Sequence, residues 1–344
     1  MKPRWILHVD LDQFQAAVEM LRHPELRDLP IIVGGNGDPT EPRKVVTCAS
    51  YEAREFGVHA GMPLRTAARK CPHATFLPLD TDAYDAVSEQ VMNLLRGLGY
   101  PVEVWGWDEA YVGADVNDPV ELAERIRSTL AAEAQLACSV GISDNKQRAK
   151  VATGFAKPDG IYVLTDENWM PVMGERAPDA LWGIGPKSAR KLVGMGITSV
   201  AQLAATDADM LTATFGPTTG LWLLLLAKGG GDTSVSAEPW IPRSRSHVIT
   251  FPRDLTDRAE MNSAVQELAR KTLEEVTAES RTVTRVAVTV RNAAFFTRTK
   301  IRKLDAPSTD PDVVVPAALR VLELFELERP VRLLGVRLEL AMPD

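Results

Sequence analysis

The sequence predicts an α+β protein of several domains, and three observations carry that expectation. Its 344 residues exceed what a single core usually organises. Through the first half, short apolar runs of strand length alternate with helix-length segments. A stretch rich in glycine, serine and proline, GGGDTSVSAEPWIPRSRS, then precedes a strand–helix–strand–strand–helix–strand pattern, which should close into a four-stranded sheet backed by two helices.

Composition narrows the class. At 45% hydrophobic and 25% charged residues the chain reads as an ordinary soluble globular protein. Cys48, Cys71 and Cys138 form no CxxC pair and no disulfide framework, which suits a reducing cytoplasm. Asp10 and Asp12 interrupt the first apolar run, so no signal peptide is expected. The longest apolar run, residues 221–227, is far short of the roughly 20 a membrane span needs. A net charge of −7 argues by itself against a nucleic-acid partner, but it is unevenly spread. From residue 243 onward there are 17 basic and 15 acidic residues, against 22 and 31 in the rest. An acidic part joined to a mildly basic module permits nucleic-acid binding if the basic side chains share a face.

Taken in order, residues 5–9 of WILHVDLDQFQAAVE read as a buried strand, with Asp10 and Asp12 at its end and helical character over 14–19. Two carboxylates at a strand end can seat a metal ion; equally, such an Asp can serve only as a cap or turn former. LPIIVGG gives a second strand, and Gly34, Gly35 and Gly37 read as a hairpin turn, because the GxxxxGK[ST] pattern is missing. A strand over 44–48 and a short helix follow, the helix placing Tyr51 and Arg54 three apart on one face, where a plain surface pair is the alternative. Helices are expected over 64–70 and 82–98, a strand over 102–107 running into Asp108 and Glu109, a paired strand over 110–113, a helix over 121–133, a strand over 137–142 and a helix over 146–155, with Lys157 just beyond. This order suggests a mixed sheet with helices on one face.

In LWGIGPKSARKLVGMGITSVAQL, Gly183 and Gly185 precede a helix starting near Pro186, and Gly194 and Gly196 lead into another. Such a hairpin, with Lys187 in its first turn, exposes backbone N–H groups suited to a phosphate; a bare helical hairpin is the other reading. In the last module strands are expected over 247–251, 283–291, 296–304 and 332–340, and helices over 258–279 and 311–327. Arg298, Lys300 and Arg302 alternate along one strand and so share a face. Arg243 and Arg245 in the linker and Arg285 and Arg291 on the neighbouring strand favour a phosphate-contacting surface over a merely solvated one.

If the two acidic strand ends are neighbours, Asp10, Asp108 and Glu109 could hold two divalent ions about 4 Å apart for phosphoryl transfer. Lys157, Arg54 and Tyr51 are the donors a triphosphate needs.

HVDLDQF, ASYEAREFGVHAGMP, WDEAYVGAD, VGISDNKQRAKVATGFAKPDGI and LWGIGPKSARKL, in this order, resemble the Y-family, DinB-type translesion DNA polymerases over residues 5 to about 204. The downstream linker and basic module are similar to the family's little finger. The resemblance implies a right-hand polymerase: palm over 1–20 and 75–166, fingers over 21–74, thumb with helix-hairpin-helix over 167–231, linker over 232–245 and little finger over 246–344. It implies that Asp10 and Asp108 bind two Mg²⁺ ions, Mn²⁺ also supporting activity, that Glu109 completes the catalytic carboxylates, and that the Leu11 carbonyl adds a ligand. Asp12 is expected to be structural. Gln13, Phe14, Gln15, Cys48, Tyr51, Arg54 and Lys157 would surround the nucleotide, and Gly183, Gly185, Lys187, Arg243, Arg245, Arg298, Lys300 and Arg302 would contact primer–template DNA. A cytoplasmic monomer is expected.

Three departures from the family pattern follow. Gln15 stands where a bulky aromatic usually excludes a ribose 2′-hydroxyl, and its amide can hydrogen-bond one, so NTPs are expected as substrates beside dNTPs. Gly106 and Trp107 replace a serine and an aliphatic residue, and Cys48 replaces a threonine. The chain ends in LELAMPD without the family's clamp-binding tail, so weak or no sliding-clamp binding is expected. A DxD phosphohydrolase, with Asp10 as nucleophile, needs no helix-hairpin-helix or basic sheet. A non-catalytic DNA-binding scaffold needs no Asp10, Asp108 and Glu109.

Overall fold

Strand β1 (Trp5–Leu11) is largely buried on both faces, and in the computed structural model, which describes residues 4–343, it is the middle strand of a sheet covered on both sides. After it come α1 (Phe14–Arg22), β2 (Ile31–Val33), β3 (Cys48–Ala49), α2 (Tyr51–Glu55), α3 (Leu64–Lys70) and β4 (Thr75–Leu77). These three strands form a small sheet of order β3–β2–β4. Then follow α4 (Thr81–Gly97), β5 (Val102–Val104), β6 (Glu109–Ala114), α5 (Pro119–Glu133), β7 (Cys138–Ser143), α6 (Lys146–Ala156) and β8 (Ile161–Val163). The five-stranded sheet has the order β5–β6–β1–β7–β8.

The alternation along β1 sorts the two faces. Leu7, Val9 and Leu11 pack with Tyr84, Val91 and Leu95 of α4 and Ile126 and Leu130 of α5. Ile6, His8 and Asp10 face the other way, toward α6, where Ile6 packs with Ala149 and Tyr111. Helices therefore lie on both faces, not on one as the element order suggested. Apolar Leu7 and Val9 on one side and Ile6 with a buried His8 on the other leave neither face to water. α6 lies unusually close because β7 offers Gly141: a Cβ there would sit 2.1 Å from the Ala149 carbonyl oxygen and 2.3 Å from the Thr153 nitrogen.

The remainder of this unit is helical: α7 (Asp166–Met173), α8 (Pro186–Gly194), α9 (Val200–Ala205), α10 (Ala208–Phe215) and α11 (Pro217–Ala227), around Trp169, Leu192, Leu203, Leu211 and Leu223. The two compact units comprise residues up to 40 with 44–239, and residues 41–43 with 240 onward. The expected linker is thus divided, and its first part is not loose. Buried Lys146 ion-pairs with Glu103 at 2.7 Å and Asp232 at 2.8 Å, and the Ser236 N–H donates to Glu103.

The second unit contains β9 (Ser244–Leu255), α12 (Arg258–Ala278), β10 (Val283–Asn292), β11 (Thr297–Ser308), α13 (Pro311–Glu323) and β12 (Val331–Leu340), in an antiparallel sheet of order β11–β10–β12–β9. The βαββαβ expectation holds. The basic surface expected across its strands is divided between two faces. Arg298, Lys300 and Arg302 pair with Val290, Val288 and Val286, whose side chains are buried with Val314, Val321 and Leu268 of the two helices. Directly opposed residues share a side, so this row lies on the helix-bearing face, at the uncovered edge strand. Lys300 there donates to the Leu324 carbonyl. Arg285 and Arg291 point to the opposite, open face, together with Lys303. Arg245 is drawn to Glu279 at 2.5 Å, at the end of α12, whereas Arg243 stays exposed.

Two other local expectations change. The strand over 44–48 shrinks to Cys48–Ala49, because residues 34–47 run as a connection with Gly35, Gly37 and Arg43 at positive φ instead of a tight hairpin. The strand over 102–107 stops at Val104, because the Trp105 and Gly106 N–H groups both turn back to the Glu109 carbonyl at 3.0 and 3.2 Å.

Candidate active site

That turn presents the acidic pair. β1 and β6 are antiparallel neighbours with Asp10 opposite Glu109, and the Leu11 N–H donates to the Asp108 carbonyl at 2.8 Å. Asp10, Asp108 and Glu109, distant in sequence, thus share one strand end. Asp12 does not join them. Its buried carboxylate accepts from Ser139 Oγ at 3.0 Å, the Asp159 N–H at 2.8 Å and Tyr51 Oη at 2.7 Å, tying β1 to β7, α2 and the turn after α6.

The stripe of α6 facing the sheet carries Lys146, Lys150, Thr153 and, just past its end, Lys157, at helical spacing. Lys157 Nζ lies 2.5 Å from Asp10 Oδ1 in an ion pair, so this buried oxygen is already met by a cation. Lys150 contacts Glu109 Oε2, and His8 Nε2 lies 3.3 Å from the same oxygen. Burial raises the pKa of Asp10 and of Asp108 above the usual carboxylate value, with Lys157 opposing it at Asp10. Glu109 goes the other way, to about 2, chiefly through its contact with His8, then Lys150. Burial lowers the pKa of His8. A desolvated carboxylate pair is a donor set suited to a hard divalent cation. His8, Asp10 and Glu109 bring one ligand atom each within 4.8 Å of one another.

A cavity of about 560 Å³ opens beside the carboxylates. Leu11, Gln13, Phe14, Gln15, Cys48, Arg54, Asp108 and Lys157 line it, in line with the sequence expectation, and Thr47, His59 and Trp107 join them. Gln15 Oε1 is buried there without a hydrogen-bond partner. Gln13, at φ 44°, turns its side chain away to accept the Tyr51 N–H at 2.5 Å. Tyr51 is not in the wall: its hydroxyl is held by Asp12, and Arg54 stacks on its ring at 4.7 Å. The half-buried Cys48 thiol has its pKa raised by burial. Trp107 Nε1 donates to Asp85 at 2.6 Å and its ring packs on Tyr84. His8 and Lys150 were missed in the sequence; a His two residues before Asp10 and a lysine seven before Lys157 share faces with the site, a signal that periodicity alone carried.

Gly183, at φ 97°, admits no side chain, since a Cβ would fall 2.4 Å from the Trp222 ring. It leads through Gly185 into α8, whose N-terminus has no side-chain cap and an exposed Lys187 in its first turn.

Comparison with known proteins is decisive. A model of the impB/mucB/samB family matches residues 9–154, and one of that family's C-terminal domain matches 242–342. The chain is 71% identical over 98% of its length to DNA polymerase IV 2 of Mycobacterium tuberculosis, covering 99% of that protein, and 36% identical over 98% of its length to DNA polymerase IV of Methanoculleus marisnigri, covering 94%. The chain belongs to the Y-family DNA polymerases, of the DNA polymerase IV type. Among solved structures, a Y-family DNA polymerase chimera, Dbh-Dpo4(243-245)-Dbh, superposes with a TM-score of 0.84 at 27% identity, covering 97% of this chain and 98% of that one. An insertion ternary complex of Dbh DNA polymerase superposes at 0.70 with 26% identity, covering 99% and 100%. The Y-family chain is therefore a DNA-directed DNA polymerase of the translesion type, in a metal-dependent family, and the phosphohydrolase and scaffold alternatives fall. No helix among the described residues is long and apolar enough to cross a membrane.

Proposed function

We propose that this polymerase extends a primer by two-metal nucleotidyl transfer and accepts ribonucleotides beside deoxynucleotides. The 3′-hydroxyl oxygen attacks the α-phosphorus of the incoming nucleotide, a new P–O bond forms, and pyrophosphate leaves. Asp10, Asp108, Glu109 and the Leu11 carbonyl would hold two Mg²⁺ ions, or Mn²⁺, and their chemistry would be to acidify the 3′-hydroxyl and neutralise charge on the phosphates. The shared strand end and the desolvation of Asp10 and Asp108 support this set. Arg54 and Lys157 supply cationic donors from the cavity wall, with Cys48 beside them; Tyr51 would first have to leave Asp12.

The observation that carries the sugar assignment is Gln15 Oε1, a buried acceptor without a donor in the cavity wall. A ribose 2′-hydroxyl would satisfy it, and an unsatisfied buried acceptor costs about 1–3 kcal/mol. Primer extension with dNTPs and NTPs in parallel, under Mg²⁺ and Mn²⁺ and with Asp108→Ala as the inactive control, tests both halves. Extension by the Asp108→Ala protein would remove the carboxylate assignment; absence of any NTP incorporation would remove the sugar assignment.

The right-hand division expected from the sequence is kept as part of this reading, with the palm on the five-stranded sheet, and so is a monomeric, cytoplasmic enzyme. For primer–template DNA, the free α8 N-terminus with Gly183, Gly185 and Lys187 suits a backbone phosphate, and the open face of the second unit, with Arg285, Arg291 and Lys303, suits several.

A further inference from the structure

We infer that His8 is a positioning residue: held at Nδ1 by Thr153, it acts through Nε2 together with Lys150 to fix the orientation of the Glu109 carboxylate. The inference rests on the reading above in which Glu109 belongs to the catalytic carboxylates.

The geometry follows from the sheet. His8 and Asp10 are two apart on β1 and emerge on the α6 side, and Glu109 lies across from Asp10, diagonal to His8. His8 is 1% exposed, and its ring packs tilted against Tyr111 at 4.8 Å. Its Nδ1 is 2.8 Å from Thr153 Oγ1. The same hydroxyl lies 3.1 and 3.0 Å from the His8 and Ala149 carbonyl oxygens, so it ties the ring to α6. Nε2 lies 3.3 Å from Glu109 Oε2 and 3.4 Å from Lys150 Nζ, and Lys150 donates to Oε2. In either tautomer Nε2 therefore braces the pair, as donor to Glu109 or as acceptor from Lys150. With Oε2 engaged in this way, Oε1 is the oxygen left for a cation. Thr153 can reach the ring only because Gly141 lets α6 approach the sheet.

Two pairs of variants separate hydrogen bonding from packing. Thr153→Val and His8→Phe keep the volume and remove the donor or the ring nitrogens, while Thr153→Ser and His8→Gln keep a hydroxyl or an N–H. The outer partner of a metal-binding group contributes about 10- to 100-fold to metal affinity or activity. Thr153→Val and His8→Phe, with unchanged circular dichroism, should bind Mn²⁺ more weakly by this factor in a paramagnetic resonance titration of the protein without nucleotide. They should lose kcat in proportion with little change in KM for dNTP, and the Ser and Gln variants should recover most of both. Parental Mn²⁺ affinity in Thr153→Val and His8→Phe would overturn the inference, and so would a Thr153→Ser protein as impaired as Thr153→Val. Asp108→Ala run alongside keeps the two readings apart. Turnover retained there sinks the carboxylate assignment, while turnover lost there with His8→Phe and Thr153→Val unaffected sinks only the role of His8.

Discussion

Gln15 shows how much one side chain can decide. Gln13, Phe14 and Gln15 all line the cavity, but Gln13 is committed to the Tyr51 N–H and Phe14 to the core, whereas the buried Gln15 oxygen has no hydrogen-bond partner. Replacing it with tyrosine fills the space and removes the acceptor. The expected result is a fall in the NTP-over-dNTP ratio of about 10- to 200-fold, the range a pocket gains from steric and hydrogen-bond discrimination. Single-nucleotide insertion kinetics with both sugars checks it; an unchanged ratio would sink the assignment. Gln15 as the point of departure was legible in the sequence, since it is a local substitution within HVDLDQF. That its oxygen is buried and orphaned was not, because burial depends on what the fold brings over it. Tyr51 is the opposite case. Its helix was legible, but its partner Asp12 lies 39 positions away, and the hydroxyl is spent there.

At the scale of elements, α6 organises the site: one stripe of it reaches the carboxylates, and its start anchors the segment after α11. Lys146 is the anchor. Burial works to raise the carboxyl pKa of both Asp232 and Glu103, but hydrogen bonds from Lys146, with Ser234 or Ser236, outweigh it and bring Asp232 to about 2. A depressed folded-state pKa means stability present above the unfolded pKa, near 3.8 for Asp232, and lost as pH falls from there toward about 2. Amide exchange of residues 230–236 should therefore speed up over that acid window. Lys146→Met should speed it at neutral pH too, by about 1–3 kcal/mol of lost charged hydrogen bonding. Exchange indistinguishable from the parent would show that the ion pairs do not hold the segment. In the helical part, Gly183→Ala combines a left-handed backbone with a clash on Trp222, and a loss of about 1–3 kcal/mol is expected, read as a lower unfolding midpoint and weaker DNA binding. Wild-type stability in that variant would mean that the turn relaxes freely.

For the whole molecule, a net charge of −7 coexists with DNA as substrate because the charge is divided, and the second unit carries basic residues on both faces of its sheet, Arg285, Arg291 and Lys303 on the open one. Removing Arg285, Arg291 and Lys303 together should lower the slope of log affinity for duplex DNA against log salt by roughly 0.9 for every phosphate no longer neutralised. Removing Arg298, Lys300 and Arg302, on the helix-bearing face, should lower it less. A larger effect from the second triple variant would return the DNA surface to the row first expected.

The sequence alone determined the α+β class, the βαββαβ module and the family, and it singled out Asp10, Asp108, Glu109, Gln15 and Lys157, which the fold brings to one strand end and its cavity. Each of these is carried by local order along the chain: apolar periodicity, a run of motifs, a residue out of pattern. Tertiary structure alone decided what depends on two distant segments meeting. The face on which Arg298 lies follows from its strand register against Val290. Helices on both sides of the first sheet follow from the burial of β1. The company Glu109 keeps, His8 and Lys150, follows from the closeness of α6 that Gly141 permits. Local patterns show which residues share a face; only packing says what that face meets.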